Sequence, residues 1–137
     1  MTAFYAKPDM SGQMPGSKIV LFVVYPDIVL LDLVGPLQVF THARRAPSAA
    51  SAYQTHVASC AGGAIGTNTI LEIDTEPLDR WVGADMPIHT LVIVGGDGAA
   101  TAAGDKALVG QVRALAGRAT RVCSVCSGAL VLGAAGV

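Results

Sequence analysis

The chain has 137 residues, 52% of them hydrophobic and 14% charged, which is enough apolar material for one compact domain and too little for two. A formal net charge of -1 offers no bulk attraction to nucleic acid or anionic lipid and argues against DNA binding by these residues alone. Three cysteines, an odd number with no evident export signal, fit a reducing, cytoplasmic setting better than a disulfide framework.

Residues 1–17 mix Pro8, Gly12, Pro15 and Gly16 with scattered polar side chains and read as a leader without packing periodicity. The domain begins at Lys18. Residues 19–24 form a continuous β-branched run, as expected of a strand buried on both faces inside a parallel sheet. The apolar stretch 19–40 is broken by Pro26, Asp27, Asp32, Gly35 and Pro36, so it does not suit a bilayer. Residues 30–45 predict a helix, with Pro36 tolerated near its beginning. Residues 53–58 predict the next strand, and 64–73 shorter extended pieces reached through a turn at Gly62 and Gly63.

Residues 89–94 predict a strong strand running into Gly95, Gly96, Asp97 and Gly98, and a helix follows over 106–119 with Leu108, Val109, Val112 and Leu115 at helical spacing. Residues 120–125 are a fourth strand and 127–137 a helix of small residues. Alternating strands and helices predict an α/β fold, a doubly wound, flavodoxin-like, mostly parallel sheet. A helix after a central strand ordinarily leads on to more sheet, so 18–137 reads as the N-terminal part of a domain interrupted after that helix.

Cys126 is the sharpest chemical signal. It lies between a predicted strand and a predicted helix with small neighbours, Ser124, Ser127 and Gly128, the pattern of a nucleophile elbow whose strained backbone tolerates no bulk nearby. A helix start would favour its thiolate; the alternative is a buried cysteine under a tight turn. Cys123 and Cys126 also satisfy the C-x-x-C spacing, but Cys123 sits inside an apolar strand rather than on a first helical turn. Asp32 stands among leucines and valine after the first strand, where ligands of open α/β sheets collect. It reads either as a carboxylate held by helix N-terminal amides or as a proton partner for Cys126. The glycines at 95, 96 and 98 lack the rest of a dinucleotide fingerprint and instead suit a close backbone approach to a ligand. His42, His56 and His89 lie on separate elements without metal-ligand spacing, so neither metal nor cofactor is expected.

Tyr25 and Pro26, the block from Leu31 through Asp32, Gly35 and Pro36 to Phe40, the run from Leu91 to Gly96 and the block from Ser124 through Cys126 and Gly128 to Gly136 together resemble the DJ-1/PfpI superfamily. Within it the chain is most similar to the glutamine-amidotransferase-like N-terminal domain of AraC-type transcription regulators of the GlxA kind, and next to isocyanide hydratases. The resemblance implies Cys126 as the elbow cysteine, Asp32 as its acidic partner, the amides of Gly96 and Ser127 facing the thiol, and Gly95 and Gly35 as further ligand-contacting positions. It also implies a homodimer. Ser127 replaces the histidine that follows the cysteine in the protease-like branch, and Val94 replaces the proline that often precedes the glycine pair.

The expected function is therefore small-molecule sensing for a transcription regulator, with a small effector as partner and DNA contacted only through a C-terminal domain outside this chain. The alternatives are a cysteine enzyme of the isocyanide hydratase kind and a DJ-1-like redox or carbonyl-stress protein.

Overall fold

The computed structural model describes residues 16–43 and 53–137. Its centre is β1 (Lys18–Val23), whose residues from Ile19 to Val23 are all buried. That burial follows from position: β1 pairs in parallel with β2 (Tyr53–Ser59) on one side and with β5 (Ile88–Ile93) on the other. An antiparallel hairpin of β3 (Gly63–Gly66) and β4 (Glu72–Pro77) extends the β2 side, and β6 (Arg121–Ser124) closes the β5 side. The six-stranded order is β3-β4-β2-β1-β5-β6, the mostly parallel α/β sheet the sequence predicts.

The helices are α1 (Leu30–Ala43), α2 (Leu78–Gly83), α3 (Ala99–Gly104), α4 (Lys106–Ala116) and α5 (Ala129–Ala135). The chain steps from β1 to β2 in one direction and from β5 to β6 in the other, so right-handed crossovers place α1 on one face and α3 and α4 on the opposite face. Aromatic edges fasten α1 to its face: Phe40 meets Phe22 with ring centroids 6.2 Å apart and Tyr53 at 4.9 Å. On the other face Trp81, Leu108, Val112, Leu115 and Val131 are buried together with the sheet. Among the described residues no helix is long and apolar enough to cross a membrane.

Several expectations shift in detail. The extended pieces expected over 64–73 resolve into a hairpin whose second strand runs on to Pro77. The helices α2 and α3 are absent from the sequence reading because each is six residues long and too short to show a period. The helix expected to reach Ala119 leaves α-geometry at Ala116, where Gly117 and Ala119 close it onto Arg113 and Leu115. The last helix starts not at Ser127 but at Ala129, after a 3-10 turn over Cys126–Gly128. It ends in a left-handed glycine at Gly136, with Val137 N–H donating back to the Leu132 carbonyl at 3.1 Å.

Pro36 lies in the second turn of α1, deeper than expected. A residue before proline is normally driven out of helical geometry by its Cβ, and Gly35 has none. The expected end of this helix at Arg45, like the leader up to Pro15, lies outside the described residues.

Candidate functional site

The loops after β1 and β5 meet at the point where strand order reverses, the position at which open α/β sheets form ligand crevices. Here backbone stitches them together. Ile28 bridges Gly96, Val29 N–H donates to the Gly95 carbonyl at 3.0 Å, and Gly98 N–H donates to the Asp27 carbonyl at 3.3 Å. Only glycine fits at two of these contacts. Gly96 has φ of 155°, and a Cβ there would strike the Asp27 carbonyl and Ile28 Cα; at Gly98 a Cβ would strike the Pro26 carbonyl.

The chain leaving β6 packs against this junction. Val125 N–H donates to the Ile93 carbonyl at 2.9 Å, Gly128 N–H turns back to the Val125 carbonyl at 3.0 Å, and Cys126 between them adopts φ of 50°. A left-handed cysteine costs about 1–2 kcal/mol relative to ordinary geometry. Its neighbours make the turn possible: a Cβ on Gly95 would lie 2.9 Å from Cys126 Cβ and from Ser127 N, and one on Gly128 would strike the Ile93 carbonyl. The Cys126 side chain emerges exposed at the carboxyl edge of the sheet.

Asp32 occupies the first turn of α1, its N–H donating to the Val29 carbonyl at 3.0 Å. Its Oδ2 is shielded from solvent and has no hydrogen-bond partner, so the helix amides do not satisfy this oxygen. Tyr25 lies within electrostatic reach of both groups. Its hydroxyl donates to the Val94 carbonyl at 2.6 Å and its pKa is pushed up to about 12, first by burial and then by the charges of Cys126 and Asp32. The phenol therefore stays a donor throughout the ordinary pH range. The sequence reading missed Tyr25 as a site residue, although a tyrosine ending a buried strand must place its polar tip somewhere.

Ser127 also makes a side-chain contact that the sequence did not predict. Its Oγ accepts from Gly96 N–H at 2.9 Å and donates to the Gly96 carbonyl at 3.1 Å, so the Gly96 amide is engaged by a hydroxyl instead of being left to face the thiol. Gly35 lies three residues beyond Asp32, on the same side of α1, and a Cβ there would meet nothing within 4 Å. Its glycine is explained by Pro36.

The histidines are elsewhere. His56 Nδ1 is 2.8 Å from Glu76 Oε1 and its ring packs edge-on to Trp81 at 4.7 Å. His89 is the second residue of β5, at the opposite end of the strand from the elbow, and His42 lies in the last turn of α1 beside Gln38. Among the described residues no cluster of three or more His, Cys, Asp or Glu side chains is arranged to hold a metal ion.

The sequence pattern of the DJ-1/PfpI family matches residues 18–137. The chain belongs to the DJ-1/PfpI family. A curated relative, the protein of the cpoL 5′ region of Streptomyces lividans, is 36% identical over 118 residues, covering 86% of this chain and 79% of that protein. Among solved structures, a ThiJ/PfpI family protein from Pseudomonas syringae superposes with a TM-score of 0.73 at 28% identity, over 96% of this chain and 53% of its own. The chain thus spans about half the length of that DJ-1/PfpI relative. A candidate transcriptional regulator from Vibrio parahaemolyticus superposes with a TM-score of 0.68 at 17% identity, over 88% of this chain and 62% of its own. A likeness at that identity is one of fold.

Proposed function

We propose that this DJ-1/PfpI domain binds a small polar metabolite at the Cys126 elbow and serves as the effector-sensing part of a transcription regulator, without turning the metabolite over. The supporting observation is the Ser127 hydroxyl on the Gly96 amide. Acyl-transfer chemistry needs free donors aimed at a developing oxyanion, and one of the two amides beside this elbow is already occupied. Among the described residues no histidine is a candidate general base, since His42, His56 and His89 all lie away from the elbow. Binding asks for less: the exposed thiol, the unpartnered Asp32 oxygen and the Ser127 amide suffice to hold a polar ligand at the edge of the sheet. The closer overall resemblance to GlxA-type regulators supplies the regulatory half of the reading, the blocks around Asp32 and Cys126 being shared with isocyanide hydratases.

The test uses the natural gene product that carries this segment. Metabolite-dependent DNA binding, with no turnover of isocyanides or α-oxoaldehydes, is expected. Steady turnover abolished by Cys126→Ala overturns the reading.

One observation favours a second reading, an isocyanide hydratase-like enzyme. A buried carboxylate oxygen without a partner, as at Asp32, is suited to carry a proton while the Cys126 sulfur adds to an electrophilic carbon. The turnover assay separates the two.

A further inference from the structure

A cavity of about 490 Å³ opens on the α3–α4 side of the same sheet edge, and neither Cys126 nor Asp32 lines it. Its volume falls within the range of small-molecule sites. The walls are mainly apolar, formed by Tyr25, Ile65, Ala102 and Leu108, with the Cys60 thiol at the end of β2 and two carboxylates, Asp27 and Asp105. No lysine, arginine or histidine lines it.

Both residues are exposed, and hydrogen bonds hold the main chain of Asp27 and the carboxylate of Asp105. Asp27 is fixed in a left-handed conformation (φ 63°), its N–H donating to the Gly66 carbonyl at 3.0 Å and its carbonyl accepting from Gly98. Asp105 caps α4, its Oδ1 accepting from Ala107 N–H at 2.9 Å and Leu108 N–H at 3.3 Å. The cap leaves Oδ2 outside it. Burial pushes the pKa of the Cys60 thiol up, and the charges of Asp105 and of Asp79, which lies outside the lining, add to the rise.

We propose that this cavity is a binding site for a small organic ammonium ion with an apolar body, the body lying against Tyr25, Ile65 and Leu108 and the charge between Asp27 and Asp105. An anion meets two carboxylates with no countercharge in the lining. A neutral ligand fills the walls and leaves both carboxylates unused. The site is separate from the elbow but shares one wall with it, since the Tyr25 ring lines the cavity while its hydroxyl reaches the Val94 carbonyl. The proposal does not depend on Cys126 binding anything.

Three probes with similar bodies and different charge test it: phenethylammonium, 2-phenylethanol and 3-phenylpropionate. Alkylation of Cys60 and Cys126 by N-ethylmaleimide is followed by mass spectrometry in one sample, alongside amide NMR shifts of Gly98 and Thr101. Phenethylammonium should shift both amides saturably and slow Cys60 labelling at least about fivefold, with Cys126 unchanged, while the alcohol binds roughly five- to tenfold more weakly and the carboxylate not at all. Asp105→Asn, which keeps the α4 cap because asparagine caps as well as aspartate, should remove most of the preference for the ammonium over the alcohol. Asp27→Asn should do the same independently. Equal binding of ammonium and alcohol, shifts that do not saturate, or equal slowing of Cys126 overturns the proposal.

Discussion

The Ser127 hydroxyl holds Gly96 from both sides, accepting from its N–H at 2.9 Å and donating to its carbonyl at 3.1 Å. One side chain therefore locks the loop after β5 to the turn after β6 and also occupies an amide that an acyl-transfer site would leave open. Removing the hydroxyl separates these effects. Ser127→Ala should lower stability by about 1–2 kcal/mol, the worth of two partly buried hydrogen bonds, and should speed acylation of Cys126 by an activated ester roughly tenfold as the freed amide receives the oxyanion. Burst amplitude and rate with p-nitrophenyl acetate check this, with Cys126→Ala as the blank. An unchanged rate would mean that the Gly96 amide does not face the reacting carbon.

Gly128 is a packing requirement of the same turn, since a Cβ there would strike the Ile93 carbonyl and lie 3.0 Å from the Val94 carbonyl. Backbone cannot yield as a flexible side chain can, so Gly128→Ala should cost more than about 2 kcal/mol. Gly110, in α4, is the control: an added Cβ meets nothing within 4 Å, and Gly110→Ala should stabilise by about 0.8 kcal/mol through helix propensity. Urea midpoints moving in opposite directions are the expected result.

These residues also show how far the sequence could be read. The buried run at β1, the glycines after β5 and the small residues around Cys126 are legible as composition at or just after a strand, although the atoms that demand the glycines are distant in sequence, Gly96 meeting Asp27 and Ile28 and Gly128 meeting Ile93. The Ser127–Gly96 bond joins residues 31 apart, and the Tyr25–Val94 bond residues 69 apart, so neither leaves a local trace. The short helices α2 and α3 were hidden for a different reason, being held by tertiary packing through buried Trp81, Leu78, Ala99 and Ala102 rather than by periodicity.

Tyr25 makes the site sensitive to alkali. Its folded pKa of about 12 lies above the ordinary value of 10.0, so the neutral phenol's contribution is fully present below pH 10 and is lost as pH rises towards 12. Chemical denaturation between pH 9 and 11.5 should show stability falling across that window, with a shallower fall in Tyr25→Phe. At neutral pH the same variant should be less stable by about 1 kcal/mol, because the Val94 carbonyl loses its donor. Parallel alkaline slopes for the two proteins would remove Tyr25 as the cause.

The backbone at Cys126 gives a test of whether this cysteine is kept for chemistry or for packing. At φ of 50° any side chain with a Cβ carries strain, and glycine is the residue that relieves it. Cys126→Ala keeps the Cβ and the strain while removing the sulfur, whereas Cys126→Gly removes both, so their difference isolates the backbone cost. With the thiol exposed, little burial is lost in either case. Cys126→Gly should therefore be more stable than Cys126→Ala by about 1 kcal/mol and at least as stable as the parent protein. Residues whose replacement stabilises a fold are those retained for function. Thermal and urea unfolding of the three proteins measure this directly; a glycine variant less stable than the alanine one would make the cysteine a structural part of the turn.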